Sequence, residues 1–191
     1  MGNCLTGNIP SLTKMPALTK AWLQENRLSG AIPVFSGLTS LKLVNVSGNQ
    51  LTGPTPSFKS KSMNLDMTGL NSFCLDVPGA PCDPRVNDLL SIVEGFGFPV
   101  VFAESWKGND PCNSTNKWVG ITCSGANITV IDFKGMALNG TISPSFARLR
   151  TLKVINLSYN NLNGDIPEEL TELRNLETID VSYCCDGCER I

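Results

Sequence analysis

The residues best equipped for chemistry in this 191-residue chain do not assemble into a catalytic set. There is no His, so the commonest general base and the commonest zinc ligand are both missing. Thiols come nearest, in Cys184-Cys185-Asp-Gly-Cys188. Thiolates hold zinc well, but without His or a second Cys-x-x-Cys this run lacks a fourth ligand nearby, and no metal is expected. The acidic residues Asp83, Asp88, Glu94, Glu104 and Asp110 form no acid/base pair at any spacing we recognise. Asp83 suits a helix cap, and Asp110 suits a turn before Pro111. Gly95-Phe-Gly97-Phe lacks the strand-then-helix setting of a phosphate loop. No catalytic residue, metal or cofactor is expected, and the reading is a non-catalytic recognition module.

The remaining chemistry is covalent modification. Five Asn-x-Ser/Thr sequons begin at Asn45, Asn113, Asn127, Asn139 and Asn156. Together with 8 Cys they point to an oxidising, secreted or cell-surface setting and to glycosylation. The net charge of -2 gives no attraction to nucleic acid or to an anionic membrane. The longest apolar stretch, Phe98–Ala103, is far short of the roughly 18 residues that cross a bilayer. Met1-Gly-Asn-Cys-Leu5 lacks the charged and apolar segments of a signal peptide, and Asn3-Cys-Leu5-Thr-Gly7-Asn-Ile9-Pro10 already reads as the tail of a repeat. The expectation is a piece of a longer protein.

A repeated phrase supplies the scaffold. Asn26-Arg-Leu28-Ser-Gly30-Ala-Ile32-Pro33 returns as Asn49-Gln-Leu51-Thr-Gly53-Pro-Thr-Pro56 and as Asn160-Asn-Leu162-Asn-Gly164-Asp-Ile166-Pro167. The step from Asn26 to Asn49 is 23 residues, inside the 20–29 residue period of leucine-rich repeats. Apolar alternation before each phrase marks a short strand with one face buried. Ala21, Leu23, Val44, Val46, Leu65 and Met67 should point inward, and Lys20, Trp22, Gln24, Lys42, Asn45 and Asp66 outward. The repeat Asn should bond backbone groups of the turn after each strand. After Asn49 the unit Leu65-Asp-Met67-Thr-Gly-Leu70 keeps the alternation and loses the Asn. The pattern resumes with Ile131-Asp-Phe133, Ile155-Asn-Leu157 and Ile179-Asp-Val181. Met136, Asn160 and Cys184 keep a period of 24, although Met136 and Cys184 replace the Asn.

Three segments follow: a first repeat block at 1–69, a non-repeat island with the cap of the second block at 70–127, and a second block at 128–191. The fold expected is an α/β solenoid in two short blocks. In the island, Asp83-Pro84 reads as a helix start, and Val86, Leu89, Leu90 and Val93 hold the helical spacing of one helix. Trp106-Lys-Gly-Asn-Asp110-Pro-Cys112 and Trp118-Val-Gly120-Ile-Thr-Cys123 come next. Both Trp should pack inside this cap.

This sequence resembles the amino-terminal cap of plant-type leucine-rich repeats, and its mid-chain place resembles the TMK (transmembrane kinase) group of plant receptor-like kinases. The resemblance implies an ectodomain at the extracellular face of the plasma membrane, or an apoplastic protein if the segment exists alone. It implies recognition of a protein or small extracellular ligand in cell-surface, auxin-linked signalling, with another receptor ectodomain or an auxin-binding protein as partner. It also implies a Cys112–Cys123 pair. Cys74 and Cys82 flank Pro78-Gly79 and suit a pair closing a short loop; Cys4, Cys184, Cys185 and Cys188 stay open. After Ser182 the family pattern expects Asn-x-Leu-x-Gly where Tyr183-Cys-Cys stands. Candidate binding residues are Trp22, Gln24, Glu25, Asp66, Lys134 and Tyr159. The alternatives are a secreted leucine-rich-repeat inhibitor or defence protein, and an inactive receptor remnant.

Overall fold

The computed structural model describes residues 3–33, 35, 38–57 and 63–183. The chain divides into two compact units, Met1–Cys82 with Lys107–Asn109, and Asp83–Trp106 with Asp110–Ile191. Cys184, Cys185 and Cys188 lie outside the described residues.

The first unit holds six short strands: β1 (Thr6–Gly7), β2 (Lys20–Trp22), β3 (Arg27–Ala31), β4 (Leu43–Asn45), β5 (Gln50–Thr52) and β6 (Asn64–Asp66). They pair only with equivalents in other repeats, all in parallel. β2, β4 and β6 make one sheet, and β1, β3 and β5 make another. Parallel neighbours need a long crossover, which the repeat supplies. Between the sheets lies a core of Ile9, Leu28, Phe35, Leu38, Leu41, Val44, Val46 and Leu51. The alternation holds: Val44 and Val46 are fully buried, Ala21 is buried, and Lys20, Trp22 and Lys42 are exposed. Gln24 departs from it. It is half-buried with Oε1 enclosed, so its carbonyl oxygen is not offered to solvent as the alternation implied. A disulfide joins Cys74 to Cys82, with Cα atoms 5.7 Å apart.

The repeat asparagines do more than close a local turn. Asn49, fully buried, donates through Nδ2 to the carbonyls of Val46 (3.1 Å) and Ser47 (3.2 Å) in its own turn, and to Leu23 (2.9 Å) in the preceding repeat. Its Oδ1 accepts from the N–H of Leu28 at 3.1 Å, again in the preceding repeat. Asn160 repeats this in the second unit, bonding Leu157, Ser158 and Phe133 carbonyls and the Leu138 N–H. The reading that the asparagine is lost after Asn49 is corrected. Asn71 supplies it, with Nδ2 on Val46 O (2.9 Å) and Met67 O (3.1 Å) and Oδ1 on Leu51 N (3.0 Å). The loss of a Leu two positions later hid it from the phrase.

The second unit opens with α1 (Pro84–Glu94), whose first free N–H groups are met by Asp83: its carboxylate accepts from Arg85 N at 2.8 Å. Buried Val86, Leu89, Ile92 and Val93 form its inner face, with Ile92 taking the deep place and Leu90 half-buried. A second short helix, α2 (Val100–Ser105), lies where one helix was expected in all. Then β7 (Ile121–Ser124) pairs antiparallel with β8 (Asn127–Asp132). Next come β9 (Asn139–Thr141), β10 (Val154–Asn156), β11 (Asn161–Asn163) and β12 (Thr178–Asp180). β8, β10 and β12 run parallel, as do β9 and β11.

The helices and the first repeat share one aromatic core. Trp106 and Trp118, both buried, stack with centroids 5.2 Å apart. Phe102 lies 4.7 Å from the fully buried Phe133 of the first repeat, and Phe96 meets Phe133 edge-on at 6.3 Å. The Cys112–Cys123 disulfide, Cα atoms 5.6 Å apart, staples this cap. The end of α1 and the start of β9 approach as bare backbone: Thr141 N–H donates to Gly95 O at 3.0 Å, and a Cβ on Gly140 (φ 103°) would sit 2.2 Å from that oxygen.

These contacts set the expected cost of three substitutions. Asn49→Ala removes four hydrogen bonds to backbone groups and takes its acceptor from the buried Leu28 N–H. The Leu23, Val46 and Ser47 carbonyls keep Asn26, Asn71 and the Glu25 N–H, respectively. The substitution should cost about 2–3 kcal/mol in denaturant unfolding. Asn26→Ala, whose bonds lie in half-exposed surroundings, should cost about 1 kcal/mol on the same scale. Gly140→Ala combines a left-handed backbone with a backbone clash, so it should destabilise the second unit by about 2–4 kcal/mol. A Gly140→Ala protein with unchanged unfolding midpoint would contradict this packing.

Candidate functional site

The strand ends carry a second ladder, built on short polar side chains. In the first unit, the register sets Trp22, Asn45 and Asp66 in one row across β2, β4 and β6. Asn45 Oδ1 accepts from the N–H and the hydroxyl of Ser47, at 3.0 and 2.7 Å. Asp66 Oδ1 accepts from the N–H and the hydroxyl of Thr68, at 3.1 and 2.8 Å. The Thr68 N–H, then its hydroxyl, hold the Asp66 carboxyl below the usual carboxylate range. These turns are local and fix the row without using core groups.

Trp22 stands in this row 59% exposed. Beside it lies a cleft of about 690 Å³, lined by Trp22, Asn45, Asp66, Thr68, Phe73 and Asp76 among others. An aromatic wall with two carboxylates can take polar or cationic groups over an apolar base. Of the sequence candidates, Trp22 and Asp66 are thus brought together. Glu25 is not in their row: it sits in the turn after β2 with φ 55°, its carboxylate lying over Gly48, where a Cβ would be 2.3 Å from Oε1.

In the second unit the equivalent row is Asp132, Asn156 and Asp180. Asn156 Oδ1 accepts from Ser158 N–H and hydroxyl, and Asp180 Oδ1 from Ser182 N–H and hydroxyl. The Ser182 hydroxyl, then its N–H, lower the Asp180 carboxyl. Lys134 and Tyr159, expected on strands, occupy the turns after β8 and β10, and the structure brings them together: Lys134 Nζ lies 5.0 Å from the centroid of the Tyr159 ring. Tyr183 stacks on Tyr159, with ring centroids 4.7 Å and planes 12° apart. The sequence reading missed Tyr183 as a surface residue. Its signal is the matched pair Asn156-Leu-Ser-Tyr159 and Asp180-Val-Ser-Tyr183, one period apart.

The sequons divide by exposure. Asn113, Asn127 and Asn139 are exposed; Asn45 and Asn156 are half-buried within their rows. Among the described residues no group of three or more His, Cys, Asp or Glu could hold a metal ion, and no helix is long and apolar enough to cross a membrane. Of the island's acidic residues, Asp83, Asp88 and Asp110 are spent on ion pairs. Arg85 pairs with Asp83 through Nε (2.9 Å) and Nη2 (2.8 Å), reaches Asp110 at 3.2 Å, and donates to the Ala126 carbonyl at 2.7 Å.

The two folded units, each a stack of parallel-paired repeats, define a leucine-rich-repeat protein whose second block opens on its own cap. The leucine rich repeat family matches residues 140–185, and the leucine rich repeat N-terminal domain matches residues 84–124. The receptor-like kinase TMK2 of Arabidopsis thaliana is 56% identical over 153 residues, 80% of this chain and 17% of that protein. The receptor-like kinase TMK4 of the same plant is 36% identical over 93 residues, 48% of this chain and 10% of that protein. The chain carries leucine-rich repeats with their N-terminal domain and is similar to the ectodomain part of plant receptor-like kinases of the TMK type, of which it spans only the stated small share. The crystal structure of the Arabidopsis thaliana GASSHO1/SCHENGEN3 ectodomain is 25% identical, covering 95% of this chain and 17% of that one; its TM-score of 0.37 is too low to bear on function.

The Arg85 hydrogen bond, foremost, holds the Asp83 carboxyl below its ordinary 3.8. A lowered folded pKa adds stability that is present above the unfolded value and is lost as pH falls through the folded one. Asp83→Asn should therefore be less stable than the parent at pH 7, with the gap closing as pH falls below about 3.8. Urea unfolding across pH 2–7 checks this; a gap independent of pH would refute the assignment.

Proposed function

We propose that this chain is a non-catalytic recognition segment of a plant cell-surface receptor, acting outside the cell. The observation that carries this reading is the Trp22–Asn45–Asp66 row beside an open cleft. A Trp left 59% exposed on a strand whose neighbours are polar is an anchor awaiting a partner. The cleft's carboxylates, Asp66 and Asp76, disfavour a small anionic ligand such as auxin at this place. They suit a protein surface presenting basic or polar groups. Of the partners the TMK resemblance implies, an auxin-binding protein or a second receptor ectodomain fits this chemistry. Glycans on the exposed Asn113, Asn127 and Asn139 belong to the same reading, as does an extracellular or apoplastic place. Glu25 and Gln24 are secondary to Trp22 and Asp66 in it.

The chain has three Trp, and Trp106 and Trp118 are buried, so fluorescence changes on binding report Trp22. Titration with a recombinant auxin-binding protein, in the presence and absence of auxin, should change this signal. Trp22→Ala should weaken binding by about tenfold or more, the range of an aromatic anchor. Equal affinity in Trp22→Ala and Asp66→Asn would remove this face from the interaction, and no binding by the parent would remove this partner.

A further inference from the structure

In the second unit the position three residues after each row residue lies in the left-handed region: Gly135 (φ 64°), Tyr159 (φ 58°) and Tyr183 (φ 59°). Gly135 and Tyr159 play the same backbone role. Gly135 N–H donates to Ser158 O, and Tyr159 N–H to Ser182 O. Glycine takes this conformation freely, whereas a bulky side chain takes it at a cost. Gly135, and Gly48 at φ 62° in the first unit, show that the slot accepts glycine. Two tyrosines thus stand where the backbone disfavours them, and burial is not the compensation: they are 44% and 67% exposed. What the strained positions yield is a surface, two rings stacked within 12° of parallel. Backbone strain kept at an exposed site is a mark of recognition.

The surroundings say what such a platform takes. One ring already carries a cation, Lys134, at 5.0 Å from the Tyr159 centroid. The carboxylates of Asp132 and Asp180 lie in the adjacent row, and Asp180 precedes Tyr183 by three residues. We propose that the exposed Tyr183 ring and the Asp180 carboxylate together receive an arginine side chain of a partner protein or peptide. A planar guanidinium can lie flat on the ring while its edge pairs with the carboxylate. A compact ammonium meets only one of the two well. This inference rests on the recognition reading above and gives the second unit its chemistry.

The chain has two Tyr in all, so carbon-13 labelling of tyrosine rings makes NMR report only Tyr159 and Tyr183. The probes are blocked triarginine, trilysine and triglutamate peptides, titrated into the whole chain. Triarginine should shift both ring signals saturably and bind about 2–5-fold tighter than trilysine, with triglutamate inert. Asp180→Asn should weaken triarginine by a similar factor, and Tyr183→Gly should abolish the shift at Tyr159. Glycine suits the left-handed slot, so Tyr183→Gly should keep its unfolding midpoint and serve as the folded control. No ring shift with triarginine, equal binding of trilysine or triglutamate, or an unaffected Asp180→Asn would overturn the proposal. Because the probe is a peptide read at the second unit, this outcome is separate from the auxin-binding-protein test read at Trp22.

Discussion

Everything in this protein hangs on a buried carboxamide shared between successive repeats. A repeat of this kind folds its backbone back on itself once per turn, turning several carbonyls at the bend toward one buried point. Asn49 meets three of them and one N–H, drawing on two repeats at once. No other side chain of that size offers two donors and a two-lone-pair acceptor on one rigid plane. Asp would lack the donors, and Gln would place them one carbon too far. Burial makes the arrangement decisive, because a carbonyl left unpaired in the core costs the full desolvation. The ladder therefore sets both the bend and the spacing of the repeats.

From that spacing the outer row follows. Once strands pair in parallel at fixed register, equivalent positions become neighbours: Trp22 with Asn45 and Asp66, Asp132 with Asn156 and Asp180. Short side chains there bond their own turns and leave the core untouched, which frees the row to vary. The position three residues on, left-handed in both units, is filled by Gly48, Gly69 and Gly135 or by Glu25, Tyr159 and Tyr183. Conserved geometry with variable side chains is how a repeat scaffold presents a surface.

A stack of repeats must also be closed where it begins. In the second unit, α1 and α2 close it with aromatic bulk: Phe96, Phe102, Trp106 and Trp118 gather around Phe133 of the first repeat. The close backbone approach at Gly95 and Gly140, and the Asp83–Arg85–Asp110 cluster, fix the helix against the sheet. The island's Trp residues, Asp83 and Asp110 are thereby absorbed into structure, which points recognition to the strand ends.

The repeat class, the α1 start at Asp83-Pro84 and the alternation of Val44 and Val46 were legible in the chain alone, because each depends on residues close in sequence. Local chemistry also told that the island's Asp83 caps a helix. Other features were decided by tertiary structure. Asn71 joins the ladder although its phrase is broken, since the bond partners Val46 and Leu51 lie a repeat away. Gln24 is half-buried with its Oε1 enclosed although alternation points it outward, because burial depends on neighbours from other repeats. Tyr183 meets Tyr159 only because parallel pairing brings residues one period apart to stacking distance. Periodicity determined which residues are equivalent; packing alone decided which equivalents touch.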